Sequence, residues 1–173
     1  QESASFLPVD GNNLRKSWLC HSHPNPHQVG LQECQPWDRC FQLHLAQRME
    51  RAGDSHAWLV ADVGGAIAGY AYGTPHWPRA AYQYVVETSA YIHGDFRGWG
   101  ITGRLYEQLF LDLAGKGYFH AFAGITPPND ASVALHKSVG FTSIGCFPRV
   151  GYKLGAWHDI SWRYAEIRNG ETG

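Results

Sequence analysis

The sequence predicts an α/β domain built on a mixed sheet. Three observations carry this prediction. Strand-like and helix-like stretches follow one another in the order β, α, three strands, α, β, α and two strands, which does not suit a doubly wound parallel sheet. Twenty glycines and an aromatic content of 14% favour strands joined by tight turns. A hydrophobic fraction of 44% against 17% charged residues describes a globular chain, and 173 residues suffice for one domain with one core.

Taken in order, Phe6–Val9 reads as a short strand and Leu14–Leu19 as a short helix. His, Pro, Asn and Gln dominate 21–36, a loop composition. Phe41, Leu45 and Met49 recur every fourth residue between Asp38, a cap, and Gly53, a stop, which predicts a helix over 38–52. Strands are expected over 57–63 and 66–73, joined by Gly64-Gly65. A Pro-rich loop over 74–81 carries His76, Trp77 and Arg79 and precedes a strand over 84–93. Ile101, Leu105, Leu109 and Leu113 form one stripe of a helix over 101–116, with Gly117 at its end. A strand over 119–126 stops at Pro127-Pro128. A short helix over 130–139, closed by Gly140, follows. Strands over 141–147 and 157–167, joined by 149–156, complete the chain. No repeat and no second domain is visible, so 1–173 reads as one domain.

Charge excludes several functions. Fourteen basic and fifteen acidic residues leave a net charge of -1, without the basic excess that nucleic acid or an anionic membrane would require. No apolar run approaches the roughly 20 residues that span a bilayer. Residues 1–10 lack a basic stretch followed by an apolar core, so a cytoplasmic location and free thiols are expected of Cys20, Cys34, Cys40 and Cys146. Cys20, His21, His23, His27 and Cys34 are possible metal ligands by type. Pro24 and Pro26 break any regular scaffold there and the spacing fits no finger, so no metal is assigned.

The chemistry concentrates after residue 84. Arg97-Gly98-Trp99-Gly100-Ile101-Thr102-Gly103 joins a strand to a helix. The first amides of a helix lack internal partners and favour an anion, and glycines let phosphates approach the backbone. No Gly-Lys-Ser/Thr follows, so this is not a P-loop. Glu87 sits mid-strand beside Val85 and Val86, where a carboxylate can take the proton that an ammonium must lose before the neutral amine attacks.

With that turn, Asn129-x-x-Ser132-x-x-x-His136-x-x-x-Gly140-Phe141 resembles the GNAT N-acetyltransferase superfamily. Val86–His93, Ala123-Gly124-Ile125, Ala131–His136 and Val150-Gly151-Tyr152-Lys153-x-Gly155-x-Trp157-His158-Asp159 are similar to its phosphinothricin and methionine sulfoximine acetyltransferase branch. The resemblance covers about 57–165; residues 1–55 diverge on the acceptor side. It implies a GNAT fold: a twisted, mostly antiparallel mixed sheet flanked by helices, with a splayed central strand pair.

The resemblance also implies acetyl-CoA as co-substrate. Its pantetheine arm would pair with Tyr91 and Ile92, and its pyrophosphate would sit on Arg97, Gly98, Trp99, Gly100, Ile101, Thr102 and Gly103. Asn129 and Ser132 would reach the arm. Thr102 stands where the family usually has Gly or Ala. Glu87 would be the general base, and His136 would donate to the oxyanion or shuttle a proton to the leaving thiolate. Arg79 and then Lys153 are the cations for a substrate carboxylate, and Tyr82, Trp77 and Trp157 could wall its side chain. The expected acceptor is the amino group of a small amino acid or an analogue such as phosphinothricin or methionine sulfoximine, in a homodimer. Another amine (an antibiotic, a polyamine or a protein amine) and a degenerate CoA-binding module are the alternatives. The lack of acidic residues in the 74–82 loop counts against polyamines and aminoglycosides.

Overall fold

The computed structural model describes residues 4–8 and 57–167. The helices predicted over 14–19 and 38–52, and the His/Cys cluster at 20–34, lie outside them. The described strands are β1 (Ser5–Pro8), β2 (Ala57–Val63), β3 (Ala66–Pro75), β4 (Val85–Ile92), β5 (His120–Ile125), β6 (Thr142–Lys153) and β7 (Ala156–Glu166). The α-helices among the described residues are α1 (Ile101–Gly115) and α2 (Asp130–Ser138). The strands form one seven-stranded sheet in the order β1-β2-β3-β4-β5-β7-β6. Only β4 and β5 pair in parallel. This is the mixed sheet that the element order predicts.

The predicted stripe seats α1 on the sheet. Ile101, Leu105, Leu109 and Leu113 are all buried, together with Tyr106. They share one buried core with small residues of the strands, including Ala61, Ala71 and Ala121. A Cβ on Gly73 would lie 3.0 Å from both methyl carbons of Leu113, so glycine there allows the close approach. Each buried leucine contributes roughly 1.5–3 kcal/mol. Leu135 and Val139 bring α2 against the same core.

The strand expected over 66–73 runs on to Pro75, and the largest departure is at the end of the chain. The strand expected over 141–147 runs on to Lys153, and a two-residue turn at Leu154-Gly155 replaces the long connection expected over 149–156. Pro148 suggests a break. The strand instead absorbs it in a register shift between Phe147 and Gly151, with Arg149 at φ 48° and its N–H donating to Asp159 Oδ1 at 2.8 Å.

The central pair opens as it leaves the core. β4 and β5 are in register only from Val85↔His120 to Glu87↔Phe122. Beyond that point β4 stays bonded to β3 as far as Ile92, and β5 to β7 as far as Ile125. Each half therefore keeps its outer partner and loses the inner one. Alternate backbone groups of β4 beyond Glu87 face the gap.

Candidate active site

The gap is a cleft of about 780 Å³. Tyr91 and Ile92 line one wall and Gly124 and Ile125 the other. The α1 N-terminus and α2 close its ends, through Arg97, Gly98, Gly100, Ile101, Thr102, Asn129 and Ser132. Of the anion-site residues predicted from sequence, Trp99 and Gly103 are not among those lining it. Trp99 is exposed, its ring edge-on to Phe96.

The turn before α1 has the conformation its glycines permit. Gly98 and Gly100 adopt φ of 80° and 74°, in the left-handed region that side chains disfavour. Gly100 caps α1 without a side chain, and the helical ladder starts with Arg104 N–H to Gly100 O at 3.3 Å. The amides of Ile101, Thr102 and Gly103 are therefore free of helical partners at the edge of the cleft. Added Cβ atoms at Gly98, Gly100 and Gly103 would meet nothing within 4 Å. An open, amide-rich, uncapped helix end fits a pyrophosphate. Arg97 is the exposed cation beside it.

At the other side of the cleft, Asn129 Oδ1 accepts from Ser132 N–H at 3.0 Å and caps α2. That bond occupies the side-chain carbonyl and leaves the amide N–H groups for a ligand. Four residues on, His136 is buried with both ring nitrogens engaged. Nδ1 donates to the Ser132 carbonyl at 2.7 Å, so Nε2 accepts from the Tyr106 hydroxyl at 3.0 Å. Beside Tyr106 the Thr88 hydroxyl donates to the Phe122 carbonyl at 3.2 Å, where β4 and β5 part. Direct donation from His136 to an oxyanion would break one of these bonds. Burial pushes the Tyr106 phenol far above its ordinary pKa, so it stays protonated.

Burial also lowers the His136 pKa. The Ser132 carbonyl opposes that shift, and the Arg163 charge adds to it. A neutral buried ring has a consequence for stability. Above about pH 6.5 the ring is neutral in both folded and unfolded chains. Below it the unfolded chain binds a proton that the folded chain resists, so stability is lost as pH falls through the lowered folded value. The urea midpoint of the wild type is therefore expected to fall more between pH 7.5 and pH 5 than that of His136→Gln. Parallel curves would remove the linkage.

Glu87 projects from the opposite face of β4 to Val86 and Thr88, which are buried on the α1 side. Its Oε2 lies 3.3 Å from His76 Nδ1. His76 is one residue past Pro75, the end of β3, and its N–H donates to Val85 O at 3.3 Å. It is thus a diagonal neighbour of Glu87 across the antiparallel pair. Sequence reading placed His76 in the loop and gave it no role. Extending the register past Pro75 would have found it. Tyr106 and Thr88 were also missed, and no spacing rule points to them.

The acceptor residues divide into two groups. The Tyr82 ring packs edge-on against Trp77 at 4.7 Å, and Trp77 lies against His76 at 4.1 Å, which links the 76–82 loop to Glu87. Arg79 is exposed at the start of the short turn Ala80–Tyr82. Lys153 and Trp157 do not join this group. They flank the tip of the β6–β7 hairpin, with Trp157 packed on Tyr152. Trp162, next to the cleft through its partner Gly124, is five residues along β7 from Trp157, roughly 17 Å of strand. The indole N–H of Trp162 is buried and finds no hydrogen-bond partner among the described residues.

A sheet splayed over an uncapped helix end defines an acyl-CoA transferase scaffold. The chain belongs to the acetyltransferase (GNAT) family, whose sequence profile matches residues 16–141. That match begins well before the stretch that carries the motifs.

The chain is 39% identical over 114 residues to a phosphinothricin N-acetyltransferase of Streptomyces viridochromogenes, covering 66% of this chain and 62% of that protein. It is 33% identical over 109 residues to an L-methionine sulfoximine/L-methionine sulfone acetyltransferase of Salmonella typhimurium, covering 63% of this chain and 64% of that protein. The chain thus spans about three fifths of the length of these curated relatives. The fold is similar, with a TM-score of 0.75 and 27% identity, to a phosphinothricin acetyltransferase of Sinorhizobium meliloti solved with acetyl-CoA, covering 98% of this chain and 91% of that one. Among the described residues no helix is long and apolar enough to cross a membrane.

Proposed function

We propose that this chain is an N-acetyltransferase that moves an acetyl group from acetyl-CoA to the amino group of a small amino acid or an analogue such as phosphinothricin or methionine sulfoximine. The observation that carries this reading is the cleft itself: it runs from the free amides of α1 to the point where β4 and β5 part, one residue from Glu87. The relatives' names support the acceptor class.

Acetyl-CoA supplies the thioester. Arg97, Gly98, Gly100, Ile101 and Thr102 would hold its pyrophosphate, and Tyr91, Ile92, Asn129 and Ser132 its pantetheine arm. Transfer joins the amine nitrogen to the acetyl carbon and breaks the carbon–sulfur bond. Glu87 takes the proton that the ammonium must lose, directly or through water. The departing thiolate takes a proton from solvent, directly or through His136, which lines the cleft. Arg79 faces the substrate carboxylate, with Tyr82 and Trp77 beside it. The absence of acidic residues over 74–82 disfavours a polycation.

In this reading 1–173 is a single domain working in the cytoplasm, and its described cysteine, Cys146, is a free thiol. A homodimer would cover the exposed Phe147, Tyr152, Leu154 and Trp157 of the β6–β7 hairpin. The deciding assay is CoA-thiol release from acetyl-CoA with L-phosphinothricin, L-methionine sulfoximine, ordinary amino acids, polyamines and an aminoglycoside. Turnover is expected on the amino acid analogues. Turnover on polyamines alone would overturn the acceptor class. Acetyl-CoA binding without turnover on any amine would leave a CoA-binding module.

A further inference from the structure

We propose that His76 is a positioning residue that holds Glu87 in the orientation needed to accept the ammonium proton, a role that rests on the acetyltransferase reading. The two side chains differ sharply in exposure: 6% for His76 and 42% for Glu87. The exposed partner can meet an amine, and the buried one can only act through it.

Packing leaves the imidazole little freedom. Its ring stacks on Phe122 at 4.9 Å, with the planes within 5°. Trp77 lies against it at 4.1 Å, and Trp162 meets it edge-on at 5.3 Å. The backbone is held as well, by the bond from His76 N–H to Val85 O. A rigid ring therefore presents Nδ1 to Oε2 of Glu87. An ionised carboxylate only accepts, so the hydrogen resides on Nδ1. At 3.3 Å the bond is at the long end of the range for an N–H···O contact. One carboxylate oxygen is thereby tethered, and the other is left to the amine. An untethered glutamate would sample many rotamers, few of them aimed at the acceptor.

The test uses the full chain, acetyl-CoA and two probe amines, L-phosphinothricin and L-methionine sulfoximine. His76→Phe keeps the aromatic packing and removes the donor. It is expected to lower kcat about a hundredfold with little change in the KM for acetyl-CoA. His76→Asn, whose amide nitrogen sits near the place of Nδ1, is expected to recover about tenfold of that loss. In a Glu87→Gln background, His76→Phe should cost almost nothing more, because the group it positions is gone.

A wild-type kcat in His76→Phe, or an equal loss in both backgrounds, would overturn the positioning role and leave the acetyltransferase reading intact. No wild-type turnover on any amine would overturn that reading, and this role with it. Should His76→Phe fail to fold, the ring nitrogen shifts of wild-type His76 decide: an Nδ1–H tautomer is expected, and an Nε2–H tautomer overturns the proposal.

Discussion

Glu87→Gln is expected to lower kcat by roughly 10²–10⁴-fold, the range typical of a lost general base. Acetyl-CoA binding should be nearly unchanged, because Glu87 is not among the residues lining the cleft. The amide keeps the size of the carboxylate and can still accept from His76, so the fold should be undisturbed. What it lacks is basicity. Equilibrium binding of acetyl-CoA and steady-state turnover on the preferred amine separate the two effects. Turnover equal to wild type would remove Glu87 from the mechanism. An equal loss of binding and turnover would make it a structural residue of the strand.

Gly69→Ala is expected to damage both stability and the cleft. A Cβ at Gly69 would lie 2.6 Å from the Tyr91 carbonyl oxygen and 2.9 Å from Ile92 Cδ1. The carbonyl belongs to the backbone of β4 and cannot rotate away. The end of β4 must therefore move, and that end is a wall of the cleft. Overpacking of this kind costs about 1–3 kcal/mol. For a chain of this size that corresponds to a fall in Tm of roughly 2–12 °C. Acetyl-CoA affinity should fall as well, because Tyr91 and Ile92 shift. Gly115→Ala is the control. It sits in helical backbone at the end of α1 with nothing within 4 Å of an added Cβ, so it should be neutral or slightly stabilising. An unchanged Tm in Gly69→Ala would show that β3 and β4 separate more easily than this register implies.

Much of the architecture is legible in the residue pattern. The stripe Ile101, Leu105, Leu109 and Leu113 marks α1, and the glycines around Trp99 mark a turn with left-handed residues. Gly64-Gly65 marks the hairpin between β2 and β3. These signals are local: each follows from how one stretch of chain must hide apolar groups or bend. The β6–β7 hairpin differs from the strand expected over 141–147 because a bulge held by Asp159 lets the strand continue past Pro148. Only pairing with a distant segment shows that.

The candidate site divides in the same way. The glycine turn before α1 and Glu87 can be singled out by residue type and place, and Asn129 and His136 by the family resemblance, because helix starts and motifs are written in consecutive residues. Where their side chains end is another matter. Local sequence could not show that His136 spends both ring nitrogens on Ser132 and Tyr106, since Tyr106 is 30 positions away. Nor could it show that Lys153 ends at a hairpin tip, or that His76 lies against Phe122, Trp162 and Glu87. The sequence by itself determined the elements and the chemistry available to them, through periodicity, capping and turn preferences. The tertiary structure alone decided which polar groups remain free to act, because hydrogen bonds and burial are settled between segments far apart in the chain.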